Sequence, residues 1–199
     1  MTLASKITLA RILLVPVFAV LAIYYGLSIA EGHPEEWLRW WALGTFVLAS
    51  ATDGVDGWIA RRFNQRSRFG AIIDPIADKS LLLTAIITLS LVDWGPHGWR
   101  IPLWFTALVI VRDIIILGGI GVLHFVNQHV HIQPRWTGKV CTVTQMFALG
   151  WVMLRVVPFD PIYPCAVAAL FTLWSGYDYI REGIRQLHDS PHVQPGSHP

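Results

Sequence analysis

Charged residues are scarce in this sequence: Asp, Glu, Lys and Arg make up 14% of its 199 residues, whereas 54% are hydrophobic. The net charge is only +2, and no basic stretch is interleaved with aromatic residues, so nucleic acid is not an expected partner. Only two cysteines occur, Cys141 and Cys165, and both fall in apolar segments, which predicts core residues rather than a disulfide. The absence of an internal repeat weakens transporter architectures that are built from repeated halves.

Long apolar runs fill the chain instead. Six of them are long enough to cross a membrane, at about residues 9–30, 40–60, 71–92, 102–126, 138–157 and 162–180. We therefore expect an all-α integral membrane bundle of six transmembrane helices over residues 1–187. The stretch 188–199, rich in Pro, His, Ser and Gly, is predicted to be a disordered tail.

The distribution of basic residues predicts the orientation of this bundle. If both termini lie on one side, that side collects most of the arginines and lysines, including Arg61, Arg62, Arg66 and Arg68. Positive charge is retained on the cytoplasmic side, so both termini and the segment that carries these arginines are expected to face the cytoplasm. The expected location is the bacterial inner membrane, with the active site open to the cytoplasm.

Four aspartates interrupt the apolar runs: Asp53, Asp56, Asp74 and Asp78 fall within 26 residues. A carboxylate within hydrocarbon costs roughly 2.5–3.5 kcal/mol even on lenient insertion scales, and four neighbours would repel one another. On helices, the first two are i,i+3 neighbours and the last two are i,i+4 neighbours, so an antiparallel pair of helices can bring all four together. Oxygen ligands without His or Cys favour Mg²⁺, or Mn²⁺, and four carboxylates can hold two ions against a phosphate-bearing substrate.

Small and basic residues accompany the aspartates. Gly57 and Ala60 follow Asp53 along one helical ridge and would leave a shallow trough beside the metal ions. Arg61 comes next and offers a planar fork suited to phosphate oxygens.

The complete pattern resembles the signature of the CDP-alcohol phosphatidyltransferase family. Asp53, Asp56, Gly57, Ala60 and Arg61 are followed by Gly70, Asp74 and Asp78 at the spacing of that signature. The resemblance covers nearly the whole chain and implies an enzyme that transfers a phosphatidyl group from CDP-diacylglycerol to an acceptor hydroxyl and releases CMP.

The resemblance also implies roles for individual residues. Asp53, Asp56 and Asp74 would bind metal, and Asp78 would be the catalytic base on the acceptor hydroxyl while also touching a metal ion. The residues expected to bind the CDP donor are Thr8, Thr52, Gly57, Ala60, Arg61 and Gly70. The family's usual Asn near the N-terminus is replaced by Ser5, three residues before Thr8.

Four further residues are candidates for binding the acceptor. Arg112 and Asp113 lie in the middle of an apolar span, where ionisable residues are functional candidates, although a structural pair that joins helices is the alternative. Lys79 adjoins Asp78, and Lys139 opens the fifth span; an interfacial lysine is the alternative for Lys139.

Two subfamilies compete for the acceptor. Bacterial phosphatidylglycerophosphate synthases, which use glycerol 3-phosphate, usually carry cations where this chain has Ile120 and Cys141. Single-domain cardiolipin synthases resemble this stretch better, so the sequence favours phosphatidylglycerol as acceptor and glycerol 3-phosphate as the alternative. In either case the acceptor contains glycerol.

Two functions of other classes fit the aspartates less well. A divalent-cation transporter would gather carboxylates, but it would not need Gly57, Ala60 and Arg61 at fixed spacing. A prenyltransferase would hold magnesium and diphosphate with acidic motifs that lie far apart in a longer chain.

The resemblance to the CDP-alcohol phosphatidyltransferases further implies that the protein is a homodimer and that membrane lipid surrounds it.

Overall fold

The computed structural model describes residues 3–63, 68–126 and 136–188, and these ranges are helical without a β-strand. Side chains are described for residues 10–52, 79–119 except 97, and 136–185. The helices are α1 (Leu3–Ala30), α2 (Glu36–Phe63), α3 (Arg68–Leu91), α4 (Leu103–Val126), α5 (Trp136–Leu154) and α6 (Ile162–His188), with a short 3-10 turn at Pro96–Gly98 between α3 and α4. The predicted all-α class with six long helices is confirmed. Of the predicted tail 188–199, His188 is the last residue of α6, and residues 189–199 lie outside the described residues.

The turn between α1 and α2 is formed around a glycine with positive φ. Gly32 has a φ of 81°, a left-handed conformation that favours glycine, and the backbone N–H of His33 donates to the Ser28 carbonyl at 3.0 Å. The Ser28 hydroxyl accepts a hydrogen bond from the Glu35 N–H at 3.1 Å, directly before α2. This turn satisfies backbone groups that the helix ends leave open.

Helix α5 is followed by a residue that also has a left-handed backbone conformation but is not glycine. Arg155 has a φ of 52° although it is not glycine, and its N–H donates to the Trp151 carbonyl at 3.2 Å. Its side chain donates to the Tyr25 hydroxyl at 2.9 Å and lies 3.6 Å from Glu36 Oε1. These contacts join the end of α5 to the end of α1 and the beginning of α2.

The core lies between two groups of helices. Helix α1 packs mainly against α2 and α3, whereas α6 packs mainly against α4 and α5. Phe18 and Tyr25 from α1, Phe46 from α2 and Leu149 from α5 are fully or almost fully buried. Such buried aromatic and aliphatic side chains supply most of the stabilisation of a helical core.

The outward faces of the helices are also apolar. Leu13, Trp41, Leu117, Leu170 and many other large hydrophobic side chains are exposed on α1, α2, α4, α5 and α6. By length and composition, one segment among the described residues, Ala10–Ala30, qualifies as a candidate membrane span. The six-span bundle and the cytoplasmic position of both termini therefore remain predictions.

Candidate active site

Two helices carry the aspartate motif. Asp53 and Asp56 lie in the last half of α2, and Asp74 and Asp78 lie in the first half of α3, which contacts α2. Both pairs of aspartates therefore lie on helices, where the i,i+3 and i,i+4 spacings apply. The side chains of these four aspartates lie outside the described residues, as do those of Thr8, Gly57, Ala60, Arg61 and Gly70. Their predicted roles stay predictions.

The residue that follows Asp78 begins a described network of charges. Lys79 Nζ lies 3.2 Å from both carboxylate oxygens of Asp113, which links α3 to α4. Arg112 Nη1 donates to the same Asp113 Oδ1 at 2.6 Å. One carboxylate thus bridges two cations, and three of the four predicted acceptor residues are in direct contact.

Helix α6 supplies the rest of the surroundings of Arg112. Arg112 Nη2 donates to the Ser175 hydroxyl at 2.6 Å, and its guanidinium carbon lies 5.8 Å from the centre of the Tyr179 ring, within cation–π range. A Cβ added at Gly176 would be in ordinary van der Waals contact with Arg112 Cγ, at 3.6 Å, so the Arg112 side chain packs on this face of α6. The Arg112 side chain is only 8% exposed, so α4 and α6 enclose a cation.

The beginning of α5 contacts the same end of α6. The Thr137 hydroxyl donates to Asp178 Oδ2 at 3.0 Å. A Cβ added at Gly138 would meet the Tyr179 hydroxyl oxygen at 3.2 Å, so the ring lies directly against the α5 backbone. The Tyr179 ring is therefore held between α5 and the guanidinium of Arg112.

Two other predicted site residues are less enclosed. Lys139, in the first turns of α5, has an exposed side chain. Thr52, one residue before Asp53, donates its hydroxyl proton to the Ala49 carbonyl at 2.7 Å, which leaves the oxygen able to accept.

Cys141 does not lie where a residue that contacts the acceptor phosphate would be expected. Its side chain is buried between α5 and α6, with Sγ 3.4 Å from Thr172 Oγ1 and 3.3 Å from Gln145 Nε2. A residue in this position packs between helices rather than lining an open pocket. The absence of a cation at Cys141 therefore says little about the acceptor. The side chain of Ile120, the second position of that argument, lies outside the described residues.

Sequence reasoning assigned no role to Ser175 or Tyr179. A signal was present, because Thr172, Ser175, Gly176 and Tyr179 follow the i, i+3, i+4, i+7 spacing of one helix face. Small and polar residues on an inner face of an apolar helix indicate a polar partner on a neighbouring helix. The sequence could not identify Arg112 as that partner, because Arg112 and Ser175 are 63 residues apart in the chain.

The chain is similar in sequence to known proteins of one family. The model of the family described as CDP-alcohol phosphatidyltransferase matches residues 1–175. The CDP-diacylglycerol--glycerol-3-phosphate 3-phosphatidyltransferase of Escherichia coli (strain K12) is 37% identical over 188 residues, which are 93% of this chain and 96% of that protein. Proteins of the same name from Shigella sonnei (strain Ss046) and Shigella flexneri serotype 5b (strain 8401) show the same identity and coverage.

The chain belongs to the CDP-alcohol phosphatidyltransferase family. The predicted family and enzyme class are thereby confirmed, and the transporter and prenyltransferase alternatives are set aside. The names of these relatives agree with the second-ranked acceptor, glycerol 3-phosphate, better than with phosphatidylglycerol.

Proposed function

We propose that this protein is a membrane enzyme that transfers the phosphatidyl group of CDP-diacylglycerol to glycerol 3-phosphate and releases CMP. The contact of Lys79 and Arg112 with the Asp113 carboxylate carries the proposal. It brings together two cations, Lys79 on the helix that bears Asp78 and Arg112 on α4. A phosphate is the acceptor group that two cations suit. Relatives that are 37% identical and named for glycerol 3-phosphate support the same acceptor.

Location in the bacterial inner membrane is part of this proposal. Apolar side chains face outward on most helices, and such surfaces are stable when lipid covers them. Exposed Trp37, Trp40 and Trp41 cluster at the beginning of α2, as indole rings do at a membrane boundary. Both termini and the active site would face the cytoplasm, where the excess of arginines and lysines is retained.

The metal site would be formed by Asp53, Asp56 and Asp74, with Asp78 at its edge. Carboxylate oxygens on two contacting helices fit Mg²⁺ or Mn²⁺, and four carboxylates fit two ions. Bound metal would lower the charge on the diphosphate and stabilise CMP as the leaving group.

The other residues of the motif would bind and orient the substrates. Asp78 accepts the proton of the acceptor hydroxyl while the hydroxyl oxygen attacks the phosphorus that carries diacylglycerol. A new oxygen–phosphorus bond forms there, and the bond between that phosphorus and the CMP oxygen breaks. Arg112, Lys79 and Lys139 hold the acceptor phosphate, and Asp113 balances their charge. The donor nucleotide is held by Thr8, Thr52, Gly57, Ala60, Arg61 and Gly70.

The acceptor can be tested directly with purified protein. CDP-diacylglycerol is supplied with Mg²⁺ and with either glycerol 3-phosphate or phosphatidylglycerol, and CMP release and the lipid product are measured. We expect product only with glycerol 3-phosphate. Consumption of phosphatidylglycerol alone would reinstate the cardiolipin synthase alternative, and absence of CMP release with both acceptors would refute the acceptor class.

We also infer that the enzyme is a homodimer. The exposed apolar faces of the helices offer surfaces that a second copy or lipid could cover. Light scattering of the detergent-solubilised protein, corrected for bound detergent, distinguishes a protein mass of one chain from that of two.

A further inference from the structure

The Arg112 side chain has two contacts with α6 in addition to its ion pair with Asp113. Asp113 binds Nη1, Ser175 binds Nη2, and the Tyr179 ring lies beside the guanidinium plane. Ser175 is fully buried, and Tyr179 rests on the backbone at Gly138. The guanidinium is thus oriented by three contacts on two helices.

This orientation leaves donors of Arg112 available. A guanidinium has five N–H groups, and the buried Nε makes no hydrogen bond to the described residues. An unsatisfied buried donor is costly, and a planar fork that is held in place binds an anion with little further ordering. The adjacent cation, Lys79 on α3, is 46% exposed, whereas Asp113 is 16% exposed. The solvent-exposed part of this network of charges therefore lies on α3.

We infer that Ser175 and Tyr179 are positioning residues that hold the Arg112 guanidinium in the orientation that receives the phosphate of the acceptor. This inference rests on the proposed function, because it deepens the recognition of glycerol 3-phosphate. Neither residue touches the reacting atoms. Their effect passes through Arg112, so their loss raises the KM for the acceptor more than it lowers kcat and leaves the KM for CDP-diacylglycerol unchanged.

The primary test is Ser175→Ala, with Thr172→Ala as the matched control. Thr172 lies one turn earlier on the same face of α6 and is equally buried, but its hydroxyl contacts Cys141 and Gln145 instead of Arg112. Steady-state kinetics and thermal unfolding in detergent are measured for both variants. We expect Ser175→Ala to raise the KM for glycerol 3-phosphate about tenfold, as loss of a hydrogen bond to a charged group would. Thr172→Ala should lower the unfolding temperature and leave both KM values unchanged.

Conservative substitutions separate positioning from packing. Ser175→Thr keeps the hydroxyl and should retain a KM near that of the wild type. Tyr179→Phe keeps the ring face and should also retain it, whereas Tyr179→Leu should raise the KM for glycerol 3-phosphate. If Ser175→Ala cannot be purified, the Phe and Leu variants of Tyr179 decide the question in the same way.

The outcomes distinguish this inference from the proposed function. Wild-type protein that does not consume glycerol 3-phosphate refutes both. Wild-type protein that consumes it, together with an unchanged acceptor KM in Ser175→Ala and Tyr179→Leu, overturns the positioning role alone. Equal rises in the KM for both substrates, or a rise in Thr172→Ala equal to that in Ser175→Ala, would also overturn it, because general loosening of α6 would then explain the kinetics.

Discussion

Lys79 Nζ on α3 lies 3.2 Å from each carboxylate oxygen of Asp113 on α4. The two residues differ in burial: the Lys79 side chain is 46% exposed, and that of Asp113 is 16% exposed. Asp113 also accepts from the buried Arg112. The carboxylate is therefore the centre of the network and the lysine is its exposed edge. Loss of the carboxylate and loss of the lysine should therefore have different effects.

Asp113→Asn should destabilise the protein far more than Lys79→Met. Removing the carboxylate leaves the buried Arg112 charge uncompensated, at a cost on the order of 3 kcal/mol. Removing a half-exposed lysine costs about 1 kcal/mol or less. Thermal unfolding of the two variants in detergent measures the difference. Equal unfolding temperatures would show that Asp113 does not balance the charge of Arg112.

Lys79→Met should instead change acceptor binding. The ammonium would pair with the acceptor phosphate, so its loss should raise the KM for glycerol 3-phosphate and leave the KM for CDP-diacylglycerol unchanged. Lys79→Arg keeps the positive charge and should recover part of the affinity. Unchanged kinetics in Lys79→Met would remove Lys79 from the acceptor site.

Asp78→Asn should abolish turnover while leaving the binding of CDP-diacylglycerol largely intact. The amide cannot take the proton of the acceptor hydroxyl, and general bases contribute about 10²–10⁴-fold to rate. Turnover is measured as CMP release, and binding is measured separately by titration of the donor in the presence of Mg²⁺. Turnover at the wild-type rate would exclude Asp78 as the base.

Removal of metal should abolish donor binding as well as turnover. Chelation with EDTA is expected to stop CMP release, and Mg²⁺ or Mn²⁺ should restore it. Asp53→Ala and Asp56→Ala should each prevent metal-dependent binding of CDP-diacylglycerol even when Mg²⁺ is in excess. Donor affinity that is the same with and without EDTA would contradict a metal site at these aspartates.

The sequence predicted those parts of the fold that depend on local pattern. Six long helices were predicted from apolar runs, and all six are present among the described residues. The predicted helix bounds were short at α2, which extends from Glu36 to Phe63, because a hydropathy pattern ends at the first charges whereas the backbone hydrogen bonds continue beyond them.

The described part of the candidate site was predicted only at its charged residues. Lys79, Arg112 and Asp113 stood out because charges are rare in apolar helices. Their partners Ser175 and Tyr179 did not, because neither is a charged residue type and each gains its role only when α6 packs on α4. The neighbours of Cys141 could not be predicted for a related reason. A residue type does not show which neighbour its side chain faces, and the Cys141 side chain faces Thr172.

Arg155 offers a test at the opposite end of the bundle. Its φ of 52° is unfavourable for a residue with a Cβ, and contacts with Tyr25 and Glu36 offset that strain. Arg155→Ala removes the contacts and keeps the strain, whereas Arg155→Gly removes both. We therefore expect Arg155→Gly to be more stable than Arg155→Ala by about 1 kcal/mol, measured by thermal unfolding in detergent. Both variants should keep the wild-type KM for glycerol 3-phosphate, since Arg155 lies far from Arg112 along the helix axes. If Arg155→Ala were the more stable of the two, the left-handed conformation would not be a source of strain at this helix end.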